Sequence, residues 1–568
     1  MTATVFGNTS LTTFDVIVIG SGAGGGTAAH ILTKAGLKVL ILEAGMNRFA
    51  GLDDPSALPT PRFSNDELKL AYRHFVTPDP VVDPRTFRAS ASQGDRTYVG
   101  DVQGLPKTVG GGAVHADLKM PRFLPQDFTL GTNLKNKFGA NFADWPVDYD
   151  MLEPFYTYGE YGLGVQGLAG ANPFEGPRSK PFPMPPGVGM YVALLAAKGL
   201  TSLGYHPFPY PMAVNSRPYG GRPACVDCGY CSGYGCPSNA KGSPAVTLLR
   251  QALLSGNCQM ITQTRAVRLL TNGAKNAITG VACLGPSAEP VTYTADRYVL
   301  STSPIEDARL LLLSDPGGPG LGNSSGQVGR NLMFHYQTNA LGIFEKRVHG
   351  HRGKTVSHGF ADFRGTPNDP AHPLGGIVEL SGSEFLLDEA NYYRQVMTLL
   401  GGFNGERLKA FMRQSPGRDR VLTMAMQGED APQVTNRVDL DPAIKDLDGL
   451  PVPRITYSNS QFELSASAFY GPKMLDIMGA AGCKYATVAP DSMPGSAHIM
   501  GTLRMGPTAS TSVCDPTGRF HDIGNLYNAD GALFPTSSGF NPTMTIVAMS
   551  LYVAASMVDP GNPQKAIS

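Results

Sequence analysis

Three stretches hold residues whose type and spacing can do chemistry. The first is Gly20-Ser21-Gly22-Ala23-Gly24-Gly25, followed later by Glu43. In a strand–turn–helix setting Gly20 permits the tight turn, Gly22 lets backbone approach a pyrophosphate, and Gly25 lets the helix pack closely on its strand. The phosphates then lie at a helix N-terminus, and Glu43, 21 positions after Gly22, can accept hydrogen bonds from ribose hydroxyls. This is the chemistry of dinucleotide binding, and its place near the start of the chain hints at FAD over NAD without deciding it.

The second stretch runs from 495 to 550. Its polar anchors, His498 and Asn541, lie 43 residues apart, each beside glycines or a proline and each near the start of an apolar segment. Asp530-Gly531 suits a close approach to a phosphate or ribityl chain. Asn541-Pro542 opens a helix, since Pro is favoured in the first turn. A helix N-terminus carries about half a positive charge and stabilises an anion, such as a reduced flavin, placed against it. Taken alone, His498 also reads as a core histidine satisfied by backbone. The third stretch is Cys225-x2-Cys228-x2-Cys231-x4-Cys236-Pro237, one residue away from the C-x2-C-x2-C-x3-C-P iron–sulfur run. Its thiols read as an iron–sulfur cluster, a structural zinc, or reduced cysteines closing a loop.

The elements that must position these residues follow from periodicity. Val16 to Ile19 and Lys38 to Leu42 read as buried parallel strands around the first glycine helix. A second glycine cluster, Gly110 to Gly112, leads to His115 and suits backbone lying against a flat cofactor. Near the only Trp, Trp145, a helix starts with Asp148 or Asp150 as its cap. Residues 165–223, rich in Gly and Pro, read as a long surface excursion. Regular structure resumes with a helix at Val246 to Leu254, a strand at Gln259 to Leu270, a meander to Leu300 and a helix at 303–314. Alternating stretches in 340–480 predict an antiparallel sheet, with helices at Ser383–Lys409 and Gln461–Met478. The chain then returns to its first unit and ends in a long helix from about Pro542. The expected domains are 10–339, including the cysteine-bearing excursion at 165–240, then 340–480, then a return segment 481–560.

Composition limits the partners. The 568 residues exceed one hydrophobic core. Lys plus Arg balances Asp plus Glu at 46 each, so no global field recruits nucleic acid or an anionic membrane. Charged residues are 16%, below the ~25% of average domains, and 68 Gly with 46 Pro fit an enzyme with many ordered loops. The first thirteen residues carry neither a basic nor an apolar signal region, and no run approaches the ~20 apolar residues of a membrane span. The expectation is a cytoplasmic protein with no direct membrane insertion, periplasmic only if carried there by a signal-bearing partner.

Together the glycine turn, Gly110–Gly112, VGRNLMFH at 328–335, the Ser-Pro helix after Leu300 and the 495–550 stretch resemble the glucose–methanol–choline (GMC) oxidoreductase family across nearly the whole chain. The resemblance implies an α/β FAD-binding Rossmann-like domain with a second α+β substrate domain on an antiparallel sheet, a p-hydroxybenzoate-hydroxylase-like architecture. It implies an FAD enzyme that oxidises alcohols by proton abstraction and hydride transfer to flavin N5. His498 matches the active-site histidine, and Asn541 the second position, where the family has His or Asn. The His/Asn version resembles pyranose oxidases, cholesterol oxidases and large subunits of sugar and gluconate dehydrogenases. By the same likeness FAD would be held by Gly20, Gly22, Gly25, Glu43, Gly110, Gly111, His115, Val267, Asp530, Gly531, Asn541 and Thr543. His115 matches a stretch where pyranose oxidases attach FAD covalently, although Ala116 stands where Trp often follows. His335 and His521 are expected to be core residues.

The expected reaction is oxidation of a sugar or glycoside hydroxyl to a ketone or lactone, with oxygen or an external electron acceptor. Polar groups in 340–480, such as Gln427, Asn404 and Tyr392, would form the sugar wall. Two alternatives stay open: a sterol or long-chain alcohol oxidase, and a flavin/iron–sulfur electron-transfer subunit with a small subunit or cytochrome partner. A homo-oligomer is compatible with any of them.

Overall fold

The computed structural model describes residues 3–62, 83–95, 98–100, 106–134, 139–366, 369, 371–382, 405–414, 419–489 and 496–568. Tyr392, Asn404 and most of the helix expected at Ser383–Lys409 lie outside them; a helix described at Gly405–Gln414 overlaps only its end.

Runs of three or four mostly apolar residues form the central sheet, its inner strands buried on both faces. Its order is Val5–Gly7, Cys258–Ile261, Val39–Leu42, Val16–Ile19, Arg297–Leu300 and Leu526–Asn528, with only the first pair antiparallel. The glycine helix Ala23–Lys34 packs against Leu248–Leu254 on one side and the C-terminal helix Thr543–Val558 on the other, and the latter packs on Tyr149–Leu163. That last helix is capped by Asp148, whose carboxylate accepts from the Met151 N–H at 2.8 Å.

The stretch expected as one strand, Gln259 to Leu270, is two. It breaks at Gln263, which has φ +55, and the N–H groups of Gln263 and Thr264 donate to the carbonyls of Gly45 and Glu43. Cys258–Ile261 stays in the parallel sheet, whereas Arg265–Thr271 starts a three-stranded antiparallel meander with Ile278–Leu284 and Pro290–Tyr293. The break carries residues 264–267 to the edge of the glycine turn.

A second six-stranded sheet is antiparallel throughout, in the order Tyr485–Ala489, Tyr336–Ile343, Val421–Gly428, Val378–Ser381, Val356–Phe360 and Phe208–Pro209. The helix Gln461–Ala481, started by a Ser460/Glu463 capping box, packs on it. So does Tyr191–Ser202, which corrects the reading of 165–223 as a surface excursion. Val192, Ala193, Ala196 and Leu200 of that helix are buried in the same core as Leu380 and Leu422. A third sheet orders Met500–Thr502, Arg330–Met333, Arg437–Lys445, Pro451–Thr456, Arg85–Arg88 and Tyr98–Gly100. Residues 340–480 therefore contribute strands to two sheets. Among the described residues no helix is long and apolar enough to cross a membrane.

Candidate active site

Between the parallel sheet and the second sheet lies a cavity of about 630 Å³. Gly20, Gly22, Glu43, Gly111, His115, Val267, Asp530, Gly531, Asn541, Thr543 and His498 all line it; Gly25 and Gly110 stand behind the lining. The glycines divide the work. Gly20 has φ +98, and a Cβ there would overlap the Ser301 carbonyl. A Cβ on Gly25 would overlap the Gly20 carbonyl, so this position sets how closely the helix meets its strand. A Cβ on Gly22 would meet only the Gly111 Cα, at 3.9 Å, so its bare face belongs to the cavity.

Ser21 knits the two glycine clusters together: its hydroxyl accepts from the Gly110 N–H at 3.0 Å and donates to Glu43. The Glu43 carboxylate also accepts from the N–H groups of Ser21 and Gly45, and burial holds its pKa above the usual carboxylate range. At the far end Asp530 accepts from the N–H groups of Ser303 and Ala532. The helix Thr543–Val558 aims its N-terminus at the same space, placing positive potential there. A cradle faced by a bare glycine, with a carboxylate at one end and a helix N-terminus at the other, fits FAD.

The base assignment rests on two histidines. His335 and His498 face each other Nδ1 to Nδ1 at 2.9 Å with their rings nearly perpendicular, and His335 Nε2 lies 3.2 Å from the Ser537 carbonyl. A carbonyl can only accept, so His335 carries its proton on Nε2 and accepts at Nδ1. His498 must then donate from Nδ1, which leaves its Nε2 as a lone pair. Burial above all, then the neighbouring His335 and Lys119, holds the His498 pKa well below the usual histidine value, so the ring is neutral and can take a proton. Burial likewise lowers His335 to about 4. His335 is thus buried, as expected, but it also sets the tautomer of His498. His521 bonds to Ser512 and the Gly506 carbonyl and stays out of the cavity lining.

Ser537 and Ser538 are themselves clamped. The Glu429 carboxylate accepts from the Ser537 hydroxyl and the Ser538 N–H, and it shares Arg364 with Asp127 in a fully buried triad.

Asn541 is oriented by a second network. The Tyr210 hydroxyl donates to its Oδ1 at 2.5 Å, and its Nδ2 donates to Glu379 Oε1 at 2.9 Å. Glu379 also accepts from Gln427 Nε2 at 3.1 Å and from the Lys119 ammonium, which pairs with Asp117 as well. Gln337 donates to Gln427 at 3.0 Å. Lys119, Gln337 and Gln427 line the cavity beside Asn541. Of this row only Asn541 and Gln427 were legible as candidates; the one signal for Glu379 is a carboxylate inside the otherwise apolar run Ile377 to Leu380.

Of the three readings of the cysteine stretch, the structure shows thiols in a closed loop. Cys225, Cys228, Cys231 and Cys236 are free thiols, and among the described residues no three His, Cys, Asp or Glu side chains are grouped to hold a metal ion. The loop folds instead around Lys241, whose buried ammonium donates to the carbonyls of Ala116, Cys231 and Tyr234. Cys225 bonds within its own turn to Asp227 and Cys236 to Ser238. Among the described residues this loop gives no support for an iron–sulfur cluster or zinc.

A Rossmann-type sheet, an FAD cradle and a neutral histidine beside a polar wall define an FAD-dependent oxidoreductase acting on CH–OH groups. Sequence profiles of the GMC oxidoreductase family match residues 210–337 and 432–550, and an FAD binding domain profile matches 15–50. The paromamine 6'-oxidase of Streptomyces fradiae is 32% identical over 95% of this chain and 90% of its own. The fructose dehydrogenase large subunit of Gluconobacter japonicus is 29% identical over 96% and 98%, and the gluconate 2-dehydrogenase flavoprotein of Pantoea cypripedii 29% over 95% and 92%. The chain belongs to the GMC oxidoreductase family. Among solved structures, a formate oxidase of Aspergillus oryzae superposes with a TM-score of 0.63 at 15% identity, covering 98% of this chain and 99% of that one, which speaks for the fold alone.

Proposed function

We propose that the protein oxidises a secondary hydroxyl of a sugar or glycoside to a ketone, or an anomeric hydroxyl to a lactone. The observation that carries this reading is the row Lys119, Gln427 and Gln337 beside Asn541 and His498, a wall of hydrogen-bonding groups where a long-chain alcohol would need apolar surface. The names of the sugar and aminoglycoside relatives agree with it.

The glycine turn, Glu43 and Asp530 would hold FAD, which when bound would supply the hydride acceptor. His498 Nε2 takes the hydroxyl proton as the carbon–oxygen double bond forms; such a base contributes about 10²–10⁴-fold. Asn541 holds the substrate oxygen by an N–H, keeping the reacting carbon in place. The helix N-terminus at Pro542 and Thr543 favours negative charge arriving in the cavity. His115 lines the same cavity.

Anaerobic addition of pyranoses and methyl glycosides to the purified protein should bleach the visible flavin band, while sterols and long-chain alcohols should not. Bleaching by the latter alone would overturn the reading. Acid precipitation then separates a dissociable FAD, left in the supernatant, from one bonded through His115, and peroxide release tells oxygen from another acceptor.

A further inference from the structure

The Glu379 carboxylate gathers two amides onto one oxygen. Asn541 Nδ2 donates to Oε1 at 2.9 Å and Gln427 Nε2 donates to the same Oε1 at 3.1 Å. The two nitrogens therefore lie no farther apart than the sum of those lengths. Neither amide can flip without cost. Turning Asn541 would set its carbonyl against the carboxylate, and turning Gln427 would do the same while also breaking the bond from Gln337. Each amide nitrogen carries two hydrogens, and Glu379 takes one from each. A second N–H remains on Asn541 and on Gln427, and both residues line the cavity beside His498.

Gln427 and its donor Gln337 are direct cross-strand partners, so the register of the second sheet fixes their spacing. Lys119 anchors the other carboxylate oxygen, its ammonium lying against Oε2 at the cavity wall. Two donors hinged on one oxygen address two substrate oxygens on neighbouring carbons.

We infer that Gln427 is a specificity-determining residue that binds the hydroxyl next to the one oxidised, so that the site selects a vicinal diol. Glu379 is the positioning residue that sets the pair. The inference rests on the sugar-oxidation reading above. A buried donor left without its acceptor is costly, which is why a substrate lacking the second oxygen is rejected.

The test uses the FAD-loaded full chain with D-glucose and methyl β-D-glucopyranoside, each with its 2-, 3-, 4- and 6-deoxy analogues, so that an anomeric reacting hydroxyl is read as well. Loss of one hydroxyl abolishes oxidation and identifies the reacting position. Loss of a neighbouring hydroxyl should lower kcat/KM by at least about tenfold, the worth of one hydrogen bond to a buried group. In Gln427→Leu that ratio should collapse towards one, mainly through a higher KM for the parent glycoside. FAD content by absorbance confirms that the variant is folded, and Gln427→Met, with the shape kept and the N–H removed, repeats the measurement if the leucine variant loses flavin. A neighbour ratio unchanged in either folded variant, or a parent enzyme indifferent to every neighbouring hydroxyl, overturns the inference and leaves sugar oxidation standing. If no glycoside is oxidised and long-chain alcohols are, the underlying reading fails instead.

Discussion

At the scale of residues, the proposed chemistry depends on which nitrogen of His498 holds the proton. The Ser537 carbonyl decides it, two hydrogen bonds away. His335→Phe removes the acceptor for Nδ1–H while leaving His498 in place. The expected result in single-turnover kinetics is a fall of about 10²-fold or more in flavin reduction with little change in substrate affinity, because the misplaced proton affects only the reacting state. A pH profile adds a second check. His498 is held well below its ordinary value of 6.5, so its neutral, proton-accepting form persists above that value. The rate should stay flat above pH 6.5 and decline only in more acidic solution; an acid limb centred at 6.5 or higher would contradict the burial argument.

Acid should also weaken the fold itself. His335 has a folded pKa of about 4 against 6.5 in the unfolded chain. The unfolded chain therefore binds the proton first, and stability falls as pH drops through 6.5 until about pH 4. For this residue alone the loss is roughly 3 kcal/mol. Urea midpoints measured across that window should fall with pH, and His335→Phe should flatten the slope.

At the scale of elements, the two ends of the glycine turn separate cofactor binding from folding. Gly22→Ala meets no atom closer than 3.9 Å, so the chain should fold with an unchanged circular dichroism spectrum and lose FAD. Gly25→Ala drives a methyl into the Gly20 carbonyl and Val18, so it should lower the unfolding midpoint even without flavin. The strands around this turn were legible in the sequence, since each is a short run of buried apolar residues bounded by Gly or a charge. The helix Tyr191–Ser202 was not, because Pro and Gly on both flanks masked a short apolar stripe. The polar row was legible least. Lys119, Tyr210, Glu379 and Gln427 come from distant segments, and only the tertiary fold brings them within hydrogen-bond reach. The cysteines left several readings open because close spacing suits a shared centre as well as a closed loop; Lys241 draws the loop's carbonyls inward, and Cys225 and Cys236 bond within their own turns.

At the scale of the whole molecule, the cavity exists because two sheets meet over it, and one ion triad locks the meeting. Arg364 and Glu429 belong to the second sheet's side, Asp127 to the segment that leads into Trp145, and all three are fully buried. Arg364→Met would strand two carboxylates out of water, at a cost of about 3–5 kcal/mol. It should also loosen the Ser537–Asn541 segment that serves both His335 and the substrate, so unfolding midpoint and flavin reduction rate should fall together. Function in this fold lives in the site and not in the architecture, and the site's claim is that His498 is the base. The direct measurement is anaerobic flavin bleaching by a substrate sugar in His498→Ala. The account predicts a protein that keeps its FAD and its fold yet bleaches at least about 10²-fold more slowly than the parent. Bleaching at the parental rate would contradict it.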